Sequence, residues 1–264
     1  MQIKATPKNA KSKAQSTSIN HQGQVMNTTL LLNVEEQIVI VELANIRLKG
    51  ELVIPANAEG LVLFAHGSAS SRYSTRNHYL AHILRQEAKL GTLLIDLLTK
   101  EEEAIDQRTK HFRSDIGFLG NRLVAVTDWL LANPCTSHLK LGYFGADTGA
   151  SAALLAAATR PMAVKAVVSR SGQTDLVSEA LACVQAPTLL IIGGNDLPII
   201  AMNEDALANI PAFNKQLEVI SGATHQFSEP GTLEEVARLA SLWFKHYLKA
   251  SDSGARDLQG MSLN

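Results

Sequence analysis

At 264 residues, 46% apolar but only 5% aromatic, the chain is long enough for one large α/β core built from aliphatic side chains. Its 24 Lys and Arg balance 25 Asp and Glu, which excludes the strong one-signed field that nucleic acid or an acidic membrane surface would call for. Cys135 and Cys183 are too few for a disulfide framework, no metal-ligand spacing occurs, and no apolar run reaches the roughly 18 residues of a membrane span.

Residues 1–29 read as a disordered tail. Lys4, Lys8, Lys11 and Lys13 lie among Ser and Thr, no acidic residue precedes Glu35, and no Arg or apolar leader segment is present. The domain is read as 30–249. Ile38–Val41 is a strand, and Ile46, Leu48, Leu52 and Ile54 alternate with polar or small residues, which with the short link Ala44-Asn45 argues for an antiparallel opening pair. After the turn at 55–60 the pattern changes to continuous apolar runs at 61–65, 92–98, 139–144, 164–168, 188–192 and 217–220, separated by helical stretches near 77–87, 114–132, 148–159, 175–183, 200–209 and 233–248. Strands buried on both faces and alternating with helices make a mostly parallel sheet joined by right-handed crossovers, with helices on both faces. Trp129 and Trp243 read as core residues. The stretch 99–115 is charged and poorly periodic, and reads as a rim over the site. Between Val168 and Pro187 there is room for one short helix and no cap domain. Residues 250–264 read as a flexible tail.

In open parallel sheets, ligands bind beyond the carboxyl ends of the strands. The run ending at Phe144 leads into Gly145-Ala146-Asp147-Thr148-Gly149 and an alanine-rich helix. This is the G-x-S-x-G nucleophile-elbow pattern with Asp in the nucleophile position. Asp196 follows the run 188–192 and His225 the run 217–220, so nucleophile, acid and histidine fall in the chain order of an elbow-bearing hydrolase. Phe64-Ala65-His66-Gly67-Ser68 resembles an oxyanion loop, in which an N–H at Ser68 joins that of Thr148. Arg72, Arg76 and Arg170 fall near the mouth and suit a substrate carboxylate, or else pair with Glu101-Glu102-Glu103 or face water.

These motifs, FAHGS, GYFGADTGAS, LIIGGND and GATHQF, resemble the dienelactone-hydrolase-like branch of the α/β-hydrolase superfamily over roughly Leu30 to Leu248. The resemblance implies a lidless α/β-hydrolase fold and ester or lactone hydrolysis by a Ser or Cys nucleophile. Asp147 departs from that pattern and is similar to the nucleophile of epoxide hydrolases and haloalkane dehalogenases. Thr148 in place of their halide-binding Trp, and the lack of a cap with polarising tyrosines, depart from those enzymes in turn. The leading expectation is a cytoplasmic, cofactor-free and metal-free hydrolase that forms an alkyl ester on Asp147 from an epoxide or haloalkyl small molecule. An ester or lactone hydrolase, with Asp147 native or replacing Ser, and a catalytically silent binding protein stay open, as does the oligomeric state.

Overall fold

The computed structural model describes residues 36–43, 46–65 and 73–249. The two tails, Ser68, Arg72 and the link at 44–45 lie outside them. The chain runs β1 (Gln37–Leu43), β2 (Ile46–Val53), β3 (Gly60–Ala65), α1 (Thr75–Glu87), β4 (Gly91–Ile95), α2 (Lys100–Thr109), α3 (His111–Ser114), α4 (Ile116–Ala132), β5 (Lys140–Ala146), α5 (Thr148–Thr159), β6 (Val164–Arg170), a 3₁₀ turn (Thr174–Val177), α6 (Ser178–Leu181), β7 (Thr188–Gly193), α7 (Leu197–Asn209), β8 (Lys215–Ile220) and α8 (Thr232–Leu248).

One eight-stranded sheet in the order β1-β2-β4-β3-β5-β6-β7-β8 organises these elements. The β1–β2 and β2–β4 pairs are antiparallel and the rest parallel. The opening pair alternates as its sequence demands: Val39, Val41 and Leu48 are buried, while Ile38 and Ile40 face outward. The inner strands β3, β4 and β7 are buried along their whole length, because α1 and α8 cover one face with Leu80, Leu84, Val236 and Phe244. Residues from α4, α5 and α7, among them Leu123, Val126, Leu154 and Ala206, cover the other face. Trp129 and Trp243 pack against these two cores as partly buried members.

Two readings of the sequence are corrected. The rim expected at 99–115 holds two helices. Thr99 caps α2 through a capping box with Glu102, whose carboxylate also binds Arg122 at 2.6 Å; these contacts hold a segment that has no apolar stripe of its own. The helix expected over 175–183 is a 3₁₀ turn followed by one short helical turn.

The sheet order reverses between β3 and β5, so the loops after these strands flank a switch point, where open α/β sheets bind ligands. The elbow fits there because its neighbours are small. A Cβ on Gly145 would lie 2.4 Å from Ala150 Cα and 2.7 Å from the Gly149 carbonyl oxygen, both backbone atoms that cannot swing away. Gly145→Ala is therefore expected to destabilise the protein by about 1–3 kcal/mol, the usual cost of overpacking. Chemical denaturation of parent and variant checks it, and an unchanged midpoint would contradict the tight turn.

Candidate active site

Asp147 links β5 to α5 at φ 52° and ψ −127°. A non-glycine residue there is strained by about 1–3 kcal/mol and persists only when its surroundings hold it. Its N–H donates to the Arg170 carbonyl at 3.2 Å, and its own carbonyl accepts from Ala150 at 3.1 Å. Asp147 stands at the N-cap of α5 and Asp196 at the N-cap of α7, yet neither carboxylate caps its helix. Both turn to His225. Oδ1 of Asp147 lies 2.5 Å from Nε2 and Oδ2 of Asp196 lies 2.5 Å from Nδ1. A ring nitrogen facing a carboxylate on each side is best satisfied when both carry protons, which is the imidazolium form.

The electrostatics agree. His225 is pushed up from 6.5 to about 9, by its hydrogen bond to Asp147 above all and by that to Asp196 as well, against the opposing effect of burial. All three side chains keep a path to solvent, with exposures of 32% for His225, 25% for Asp147 and 15% for Asp196.

The loop carrying His225 is braced on several sides. The Thr224 N–H donates to Glu229 at 3.0 Å, Asn195 donates from its backbone to Ala223 and from its side chain to the Gly222 carbonyl, and Arg76 donates to the Gln226 side chain at 3.0 Å. Gly193, which the sequence reading passed over, lets this loop close in: a Cβ there would fall 2.6 Å from the carbonyl oxygens of both Ala223 and Thr224. Its signal was present as the first glycine of Gly193-Gly194-Asn195-Asp196.

The expected arginines divide. Arg76 reaches the histidine loop as described and is not paired with Glu101–Glu103. Arg170 was read as a rim residue and is instead 5% exposed. Among the described residues its Nε and Nη1 have no hydrogen-bond partner, and its guanidinium lies 5.9 Å from the Phe227 ring centroid. The strand places it there, since Arg170 falls on the same face of β6 as the buried Ala166 and Val168. Burial lowers its pKa, the charge of Asp147 counters that, and Arg76 adds to it. Thr148, the expected oxyanion donor, opens α5, where the first N–H groups lack intrahelical partners. Its hydroxyl is buried and unbonded. A separate cavity of about 910 Å³ beyond β2 and β4 is lined by Lys49, Asp96, Thr99 and neighbours and by none of the triad. Among the described residues no group of His, Cys, Asp and Glu is arranged to hold a metal ion, and no helix is long and apolar enough to cross a membrane.

A mostly parallel sheet with an elbow after β5, an acid after β7 and a histidine after β8 is the α/β-hydrolase fold. The family model for dienelactone hydrolases matches residues 82–250, and the chain belongs to the dienelactone hydrolase family. It is similar to a dienelactone hydrolase crystal structure from Anabaena variabilis, at 61% identity and a TM-score of 0.80 over 82% of this chain and 99% of that one. An esterase from Pyrococcus furiosus shares the fold, at 17% identity and a TM-score of 0.65 over 83% of this chain and 93% of that one. Two Mycobacterium tuberculosis proteins named putative phosphoribosyl transferases are 52% identical over 199 residues, 75% of this chain but 44% of theirs. The chain thus spans less than half the length of these curated relatives.

Two outcomes follow from the ion-paired histidine. Because its folded pKa of about 9 lies above the ordinary 6.5, its contribution to stability is complete below pH 6.5 and is lost as pH rises through about 9. Asp147→Asn removes the largest support for the charge, so the His225 titration followed by NMR is expected to fall, and the alkaline loss of stability to shrink. A titration unmoved by this substitution would contradict the geometry.

Proposed function

We propose that the chain is a small-molecule hydrolase in which the Asp147 carboxylate is the nucleophile and a covalent alkyl ester the intermediate. The observation that carries this reading is the Asp147 carboxylate at the apex of the elbow, hydrogen-bonded to His225. A carboxylate needs no base to attack, whereas attack on an ordinary ester carbonyl would leave an anhydride. A strained epoxide or a haloalkyl carbon suits it better.

The charge state of His225 favours the epoxide. An Asp147 oxygen forms a bond to the epoxide carbon, the C–O bond breaks, and the departing alkoxide takes the proton of cationic His225. The histidine is then neutral and Asp147 esterified. In the second step His225 takes a proton from water, which attacks the Asp147 carbonyl carbon. The N–H groups at Thr148 and Ser68 would stabilise the oxyanion, an interaction typically worth about 2.7–4 kcal/mol per donor. Collapse releases the diol and restores the carboxylate and the imidazolium. Asp196 holds the ring and supports its charge. With a haloalkyl substrate the halide leaves unprotonated, and His225 sheds its proton to solvent once Asp147 is neutral. Arg76 and Arg170, with Arg72, would hold an anionic substituent such as a carboxylate.

A second reading is favoured by membership in the dienelactone hydrolase family: ester or lactone hydrolysis, with Asp147 drawing a proton from water that attacks the acyl carbon directly. Isotope labelling separates the two. In a single turnover in heavy-oxygen water, the covalent route puts the label into the Asp147 carboxylate and leaves the first product unlabelled; the direct route labels the product alone. His225→Gln should trap the covalent ester as a mass adduct on Asp147. A protein with neither adduct nor turnover is a binding protein.

Substitution gives an independent check. Asp147→Ser rebuilds a Ser-His-Asp constellation on the same frame and is expected to gain hydrolysis of p-nitrophenyl acetate over both parent and His225→Ala. Asp147→Asn should abolish epoxide turnover. A parent already fast on esters would remove the alkyl-ester route as its main chemistry.

A further inference from the structure

The short segment Arg170-Ser171, at the carboxyl end of β6, carries no member of the triad but is bonded to two of the turns that do and to the strand that leads to the third. The Arg170 carbonyl accepts from the Asp147 N–H at 3.2 Å, which holds the elbow. The Ser171 N–H donates to Ile191 at 2.9 Å, on the strand that leads to Asp196. The Ser171 hydroxyl donates to the backbone carbonyl of His225 at 3.1 Å. The other braces of the histidine loop grip its neighbours, at positions 222, 223, 224 and 226; the Ser171 bond grips the histidine's own backbone.

Ser171 is also fully buried and sits at φ 47°. In the left-handed region glycine is at ease and a side chain is not. A serine there has a side chain that glycine lacks, and among the described residues its hydroxyl bonds to the His225 carbonyl.

We propose that Ser171 is a positioning residue, which fixes His225 between Asp147 and Asp196 by holding the histidine's carbonyl oxygen. The hydroxyl sets where the His225 Cα stands, and both ring nitrogens depend on that point. A small displacement disturbs the geometry of both 2.5 Å contacts. Ser171 itself touches no reacting atom.

The test needs no substrate, so it stands apart from whether Asp147 forms an ester. Ser171→Ala and Ser171→Gly both remove the hydroxyl, but only the glycine also relieves the backbone. The His225 titration is followed by NMR of the imidazole in parent and variants. In both variants it is expected to fall by about one unit, a tenfold weaker hold on the proton. The thermal midpoint of the glycine variant should match or exceed the parent's, which separates loss of positioning from loss of fold. Once a substrate is in hand, kcat should drop about ten- to a hundredfold with KM little changed, the range produced by a misplacement near 1 Å. If the alanine variant does not fold, the glycine variant decides. A folded glycine variant whose His225 titrates as in the parent overturns the proposal, because position 171 would then serve the backbone alone.

Discussion

Everything at this site depends on one backbone reversal. At Asp147 the chain turns from a buried strand into a helix within a single residue, at a φ that side chains resist. The turn lifts a carboxylate clear of the sheet and sets the N-terminus of α5 beside it. It is bought by small neighbours: Gly145 lies against the backbone of α5, and the alanines of α5 let that helix sit deep between α4 and the sheet. Held this way, the carboxylate cannot retreat to cap its helix, and its available partner is the histidine that arrives from β8.

That histidine then carries a charge at neutral pH, which sets this site apart from one with a hydroxyl nucleophile. A neutral serine leaves its histidine free to act as a base from the start. Here the ring lies between two carboxylates; in the proposed reaction it acts first as an acid, and becomes a base once the charge of Asp147 is removed.

Much of this was legible in the sequence, because strands buried on both faces appear as continuous apolar runs and the elbow has a local spacing. Asp147, Asp196 and His225 each follow such a run, and the structure brings the three together. What the sequence hid had no apolar period or was set by the third dimension. Helix α2, KEEEAIDQRT, shows no core-facing stripe; it is held by its cap and by Arg122, and the capping-box spacing from Thr99 to Glu102 was the clue available. Arg170 looked like a rim residue because arginines seldom lie buried without partners, and only its place in the strand alternation turns it inward. Ser171 has no sequence signature, since its role rests on a backbone angle and on a carbonyl from a loop far along the chain.

The pairing of β3 with β5 bears on how the molecule comes to exist. Gly60 lies opposite Lys140, so these two central strands meet only after α1, β4, α2, α3 and α4 have been accommodated between them. Closing so long an excursion costs chain entropy before any contact repays it, whereas β1 and β2 can zip up locally. The elbow that carries Asp147 follows directly from β5. The candidate site therefore rests on a strand pairing that is distant along the chain, and not on locally closed structure alone.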